Sequence, residues 1–330
     1  MRRRIPLAMV AAAALTAACG GGNGGDAATG GADGAATDAV EDGELTPITV
    51  GVLPIVDTAA IWLGVDQGIF EEHGLDVTLE VAQGGAAIAP AVVSGDYQFG
   101  FSNLVSLFVA GDQGLPLQLL APGNASTGDA AADIGGIVAL PDSGITGPAD
   151  LAGKTVAVNT LANIGEVTVK NVVEQAGGDP DSVQFTELGF PDMPAAVAGG
   201  QVDAAWILEP FLTVTKNQGA QLISSNFAET DPDLIIAGYF TTAQNAQQEP
   251  ELTEAFTAAM TESLEYAEAN PDEARAILST YTEIPAEVQE AMVMPRFPSE
   301  FDTDAVQVLA DLTLKYGLVE NEIDVEALLP

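Results

Sequence analysis

Cysteine, histidine and positive charge are scarce in this chain. Its 330 residues hold one Cys, one His and 9 Lys+Arg, against 48 Asp+Glu. One Cys excludes an internal disulfide framework. With one His beside it, no Cys/His set for zinc can be assembled. A hydrolase built on Ser-His or Cys-His would have to rest on His73 alone. The net charge of −39 repels nucleic-acid phosphate and leaves no basic patch, so no nucleic-acid partner is expected. Acidic clusters such as Glu71-Glu72 or Asp302/Asp304 lack the spacing of a calcium loop, so neither a metal nor a cofactor is expected. The chain does hold 47% hydrophobic and only 17% charged residues. A large core is therefore affordable, and disorder is excluded for most of the length.

The first eighteen residues read as an export leader. Arg2, Arg3 and Arg4 precede an apolar run at 5–18 that ends in small residues and is too short to span a bilayer. The lone Cys19 follows Leu15-Thr16-Ala17-Ala18, which resembles a bacterial lipobox. Cys19 is the expected site of lipidation and the expected mature N-terminus. Removal of the leader leaves 6 basic residues against 48 acids, a net of −42. Residues 19–46 are rich in Gly, Ala, Asp and Thr and read as a flexible acidic tether.

Beyond the tether, strand-like runs alternate with helical ones. Thr49–Leu53 reads as a strand, 58–70 as a helix stopped by Gly74, and Leu75–Val81 as an alternating strand. Further strands are expected at Tyr97–Phe101, Leu115–Leu120, Ile134–Leu140, Thr155–Asn159, Val183–Leu188, Ala204–Leu208, Gln221–Ile223 and Leu234–Phe240. Helices are expected from Gly84-Gly85 to Ser94, and over 104–110, 163–176 and 194–198. After residue 240 only helices follow, over 251–269, 271–280, 285–294 and 303–316. This α/β rhythm predicts parallel sheets covered by helices. AVVSGDYQFGF (91–101) echoes AVAGGQVDAAW (196–206), as two similar lobes would.

The runs DTAAIWLGVDQGIFEEHGLDVTLE (57–80) and GGAAIAPAVVSGDYQFG (84–100) carry a resemblance. So do DLAGKTVAV (150–158), QVDAAWILEPF (201–211), NPDEARAIL (270–278) and YGLVENEIDV (316–325). As an ordered set they resemble the nitrate/sulfonate/taurine-type substrate-binding proteins of ABC importers, which include binders of thiamine-precursor pyrimidines. The resemblance covers roughly 47–328. It implies a two-lobed periplasmic-binding-protein-like fold. Each lobe is a mainly parallel sheet flanked by helices, and a two-stranded hinge joins them. One lobe is expected over 47–135 and 237–330, the other over 136–236. The resemblance also implies a monomeric, lipid-anchored, extracytoplasmic receptor that hands a small solute to an ABC permease and its ATPase. Two readings compete with it: an enzyme of similar fold related to thiamine-precursor synthesis, and a sensor that signals by closing without transport. Export and the lack of a His-based site argue against the enzyme.

In such sheets ligands sit beyond the carboxyl ends of strands, where helix N-termini present free N–H groups. The candidate ligand-binding residues are those of the strand-end loops. In the first lobe they are Asp57, Thr58, Gly84, Gly85, Ser102, Asn103 and Asn124. In the second they are Asn159, Thr160, Asn163, Phe190, Asp192, Trp206 and Glu209. Each polar one has an alternative reading as a helix cap. Trp206 would supply an aromatic wall, with core packing as its alternative. Glu209 would favour a ligand with N–H donors; its alternative is a solvated loop or a hinge contact. Of Lys154, Lys170, Lys216, Arg275, Arg296 and Lys315, only Arg296 falls in an irregular loop suited to meet an anion. The competing reading pairs it with Glu300 or Asp302. His73 reads as a surface residue in a helix C-terminal turn. This lining favours a small solute with both donors and acceptors, such as a pyrimidine-like precursor, over nitrate or a sulfonate. No catalytic residue is expected.

Overall fold

The computed structural model describes residues 45–330. The expected leader, Cys19 and nearly all of the Gly-rich stretch lie outside the described residues. Two five-stranded sheets organise the chain. The first has the order β2-β1-β3-β10-β4, with β1 Thr46–Val52, β2 Leu75–Val81, β3 Phe99–Asn103, β4 Leu117–Ala125 and β10 Ile235–Thr242. The second has the order β7-β6-β8-β5-β9, with β5 Gly135–Ala139, β6 Thr155–Val158, β7 Gln184–Glu187, β8 Ala204–Leu208 and β9 Gln221–Ser224.

The sheets are mixed. In the first, only β10 runs against its neighbours, and in the second only β5 does. Each reversed strand is the first one entered after the chain crosses from the other sheet. The two sheets thus repeat one topology. The sequence echo falls on equivalent places, since both segments are a helix followed by the central strand, β3 or β8.

Local chemistry accounts for the element ends. The expected helix over 58–70 is split into Ala59–Asp66 and Ile69–Glu72 by Gly68, whose φ of 78° ends the first piece. Asn103 caps the helix Leu104–Asp112, and Asn163 caps Ile164–Gln175; each side chain accepts from the backbone N–H three residues on. Helix Ala59–Asp66 lies close against Pro250–Ala269. A Cβ at Gly64 would stand 2.0 Å from Ser263 Oγ, so only glycine permits this approach. Phe99 stacks on Phe256 at 3.9 Å in the same core. Burying each ring stabilises by about 1.5–3 kcal/mol.

Two segments carry the chain between sheets, 126–134 and 225–234. Asp133 joins them. Its Oδ2 accepts from Ser126 Oγ at 2.6 Å and from Ala228 N at 2.9 Å. Its Oδ1 accepts from Thr127 N and Ile134 N. Ser126 N donates to Leu234 O across the crossings at 3.0 Å. A buried carboxylate with this many donors is well compensated.

Candidate functional site

The carboxyl ends of β1, β3, β6 and β8 converge where the two sheets face each other. Between them lies a small cavity of about 20 Å³, room for about one water. Its walls include Leu53, Ile55, Phe101, Ile164, Leu208 and Ile236, which are apolar, together with Asp57, Gly85, Asn103, Asn159, Phe190 and Trp206.

Asp57 is the one acid in this lining and is 1% exposed. It sits in the 3-10 turn Val56–Thr58 that follows β1. Its Oδ1 accepts from Asn124 Nδ2 at 3.0 Å. Its Oδ2 has no hydrogen-bond partner, and neither has Asn124 Oδ1. Burial pushes the Asp57 carboxyl from 3.8 up to about 7, partly offset by the Asn124 hydrogen bond. Trp206 Nε1 and Tyr239 Oη are buried donors that also lack partners. Burial also pushes the Tyr239 phenol well above its ordinary value. Trp206 packs against Phe190 at 5.6 Å and Phe227 at 5.8 Å, so it forms both wall and core.

Other candidates stand behind the lining. Thr58 Oγ1 donates to Leu53 O at 2.7 Å and holds the turn that carries Asp57. Ser102 supports Gly85, where a Cβ would fall 1.7 Å from Ser102 Oγ. Asn163 Nδ2 donates to Asn159 Oδ1 at 2.6 Å and to Thr160 Oγ1 at 3.2 Å. Asn159 Nδ2 in turn reaches Gln83 O of the first half at 3.2 Å. Asn103 Oδ1 caps its own helix and also accepts from Ile164 N of the second half at 3.4 Å. Gly84 faces Thr160 across the same gap.

Three candidates stand elsewhere. Asp192 is exposed beside the helix Met193–Ala198. Glu209 is neither solvated nor in the cavity lining. It is 1% exposed, and its carboxylate accepts from Thr213 N, Thr213 Oγ1 and Val293 N, the last from the C-terminal region. Burial, opposed by the Thr213 hydrogen bonds, raises its carboxyl above the usual range. Arg296 lies at the crossings. Its Nε donates to Ser126 O, its Nη2 to Pro232 O at 3.0 Å, and its Nη1 meets Asp233 Oδ1 at 3.2 Å. The partner is Asp233 instead of Glu300 or Asp302, because the backbone bridge between Arg296 and Ala125 draws the side chain to the crossings. Among the described residues, no Lys or Arg lines the cavity.

Sequence reasoning did not name Ile236 and Ala237, which line the cavity. The rule that ligands sit at carboxyl ends looks past β10. That strand runs backwards, so its amino end lies at the same sheet edge as the carboxyl ends of its neighbours. The signal available was the strand's position just after a crossing.

A profile of the family described as NMT1/THI5 like matches residues 56–274. The chain is 25% identical over 227 residues to a formylaminopyrimidine-binding protein of Halalkalibacterium halodurans, covering 67% of this chain and 65% of that protein. It is 26% identical over 208 residues to the taurine-binding periplasmic protein of Escherichia coli strain K12, covering 63% of this chain and 62% of that one. The chain thus spans slightly under two thirds of the length of these two relatives. In fold it matches the alkanesulfonate-binding protein of Xanthomonas axonopodis pv. citri, bound to MOPS. The TM-score is 0.72 at 18% identity, covering 87% of this chain and 99% of that one.

Proposed function

The chain belongs to the NMT1/THI5-like family, and from that premise we propose that it is an extracytoplasmic receptor. It captures a small organic solute between two lobes and delivers it to an ABC permease and its ATPase. The lobes are 47–135 with 237–330, and 136–236. The relatives named above are binding proteins, which supports reception over catalysis. Cys19 carries the lipid anchor at the outer face of the membrane, and the acidic stretch after it lets the body stand off.

The cavity of about 20 Å³ is too small for an organic solute. The lobes therefore part to admit one and close over it, with the crossings at 126–134 and 225–234 as the hinge. The ligand class follows from one observation. Asp57 Oδ2 and Asn124 Oδ1 are buried and have no partner, on two side chains joined by one hydrogen bond. An unpaired buried group costs about 1–3 kcal/mol, which a ligand N–H would remove. With no Lys or Arg in the lining, the site suits a solute that presents N–H donors, such as an aminopyrimidine, better than a bare anion. Asp57, Asn103, Asn159, Phe190 and Trp206 are the residues we place in contact with it, on the floor formed by Gly84 and Gly85.

A second reading rests on the helix N-termini at Gly85, Asn103 and Ile164, which meet at the cavity and attract negative charge. A zwitterion with an ammonium on Asp57 and an acid group on these termini would satisfy both features. Native mass spectrometry of gently purified protein would reveal a retained solute. Calorimetric titration with an aminopyrimidine, taurine and nitrate would rank the classes. Tight binding of nitrate, with none of the aminopyrimidine, would overturn the donor-bearing reading.

A further inference from the structure

The basic residues of this chain are few, and their placement is not even. After the leader only Lys154, Lys170, Lys216, Arg275, Arg296 and Lys315 remain. Arg296 bridges the crossings. Lys170 and Lys315 converge on one tyrosine, Tyr316, where the two halves meet outside the cavity lining.

The helix Thr303–Lys315 packs on Leu104–Asp112 of the first half. Its end touches the end of Ile164–Gln175, which belongs to the second half. Lys315 Nζ stands 2.6 Å from Glu174 Oε2. The Tyr316 hydroxyl donates to the same oxygen at 2.5 Å. Lys315 Nζ lies 5.1 Å and Lys170 Nζ 5.9 Å from the centroid of the Tyr316 ring. Lys170 is held in turn by Glu166 at 3.7 Å, one helical turn back. The Lys315 and Tyr316 hydrogen bonds lower the Glu174 carboxyl, so it is charged throughout the physiological range.

We propose that Lys315, Tyr316 and Glu174, with Lys170 on the same ring, form a latch that holds the two lobes together and sets the balance between closed and open cleft. The inference rests on the receptor reading above, since a latch has meaning only if the lobes part. An exposed ion pair within one rigid body adds little. Here the two ends sit on halves that separate, so whatever the contact contributes goes to the closed state alone. The latch touches no ligand. It sets how long any solute is retained, independently of which solute that is. In a chain of net charge −39, both lobes repel each other, and a cationic contact is the direct way to oppose that repulsion.

The test is hydrogen–deuterium exchange on the full-length protein, read at the backbone amides of 84–88 and 159–164, which face each other across the cleft. No ligand is needed. Glu174→Gln, Lys315→Gln and Tyr316→Phe should each speed exchange there about 3- to 10-fold, while thermal midpoints stay within about 2–4 °C of wild type. The exchanged pair Glu174→Lys with Lys315→Glu should restore slow exchange, which a merely unfolded variant would not do. If exchange rises only at 170–175 and 313–317 and the cleft amides keep their wild-type rate, the latch is refuted and the receptor reading stands. If the cleft amides of the wild type are as protected as those of β8, the lobes do not part, and both fall.

Discussion

Asn124 Nδ2 donates to Asp57 Oδ1 at 3.0 Å and leaves one buried oxygen on each side chain, Asp57 Oδ2 and Asn124 Oδ1, without a partner. The pair comes from the ends of β1 and β4, at opposite flanks of β3 and β10 in the sheet. Each such unpaired buried group costs about 1–3 kcal/mol.

Burial raises the Asp57 carboxyl from 3.8 to about 7. The folded protein therefore keeps this proton between about pH 4 and pH 7, where the unfolded chain has lost it. The contribution to stability is full below about pH 4 and is lost as pH rises through 7. Asp57→Asn should remove that dependence. The variant should be stabilised relative to wild type at pH 8, by on the order of 4 kcal/mol, and much less at pH 4. Denaturant melts at the two pH values check this. Equal differences at both would mean that Asp57 is not titrating in the fold. The same variant should bind a donor-bearing solute at least tenfold more weakly.

Much of this fold was legible in the sequence, and the reasons differ by element. β2 and β8 were read at their observed bounds because alternation or a run of apolar residues is flanked by turn residues. The helices Gly85–Ser94 and Ile164–Gln175 are marked by a glycine pair and by Asn163. The partition of strands into two sheets came from the resemblance. β3 was placed two residues early, since Ser102 and Asn103 look like loop residues until β10 pairs with them. The helices Phe211–Asn217 and Asn226–Thr230 went unread, as short amphipathic turns beside a Pro or a Ser carry little periodicity. Strand-end reasoning named Asp57, Asn103, Asn159, Phe190 and Trp206, which line the small cavity. It did not see that Glu209 accepts from Thr213, one turn on in a helix that went unread, nor that Val293, Ser126 and Pro232, distant in sequence, partner Glu209 and Arg296.

Glu209→Gln should act through the fold. Its carboxylate accepts three hydrogen bonds, and the Gln amide would present N–H to donors. A loss of about 1–2 kcal/mol is expected, read as a lower denaturation midpoint, with the ranking of solutes unchanged. A changed ranking would place Glu209 in contact with ligand.

Arg296→Ala should loosen the crossings, since it removes donors to Ser126 O, Pro232 O and Asp233. The side chain is partly exposed, so a cost of about 1–2 kcal/mol is expected. Binding should weaken modestly for every solute alike. Selective loss of sulfonate or nitrate binding would show that the guanidinium serves an anion.

On the proposed lipid anchor, Cys19→Ser should release the protein from membranes, because Cys19 is the chain's one thiol and stands where the sequence places the end of a leader. Fractionation after a high-salt wash checks it. A variant that still sediments with membranes would rule out the lipid anchor.

The last prediction separates closure from stability at a single methyl group. Gly84 lies at the first lobe's face of the cleft, and an added Cβ would stand 2.8 Å from Thr160 Cγ2 and 3.2 Å from Asn159 Nδ2. Its φ of 175° is extended backbone, which alanine adopts freely, so Gly84→Ala carries no local strain. The clash is with the other lobe alone. If the lobes part, the variant escapes it by staying open, and thermal stability should hold within about 1 kcal/mol while solute affinity falls about tenfold or more. Thr160→Ser removes the offending methyl and keeps the hydroxyl that accepts from Asn163. The double variant Gly84→Ala with Thr160→Ser should therefore recover most of the affinity. If Gly84→Ala instead lowers stability by several kcal/mol and leaves affinity intact, the lobes are a rigid unit, and the cleft does not open to take its solute.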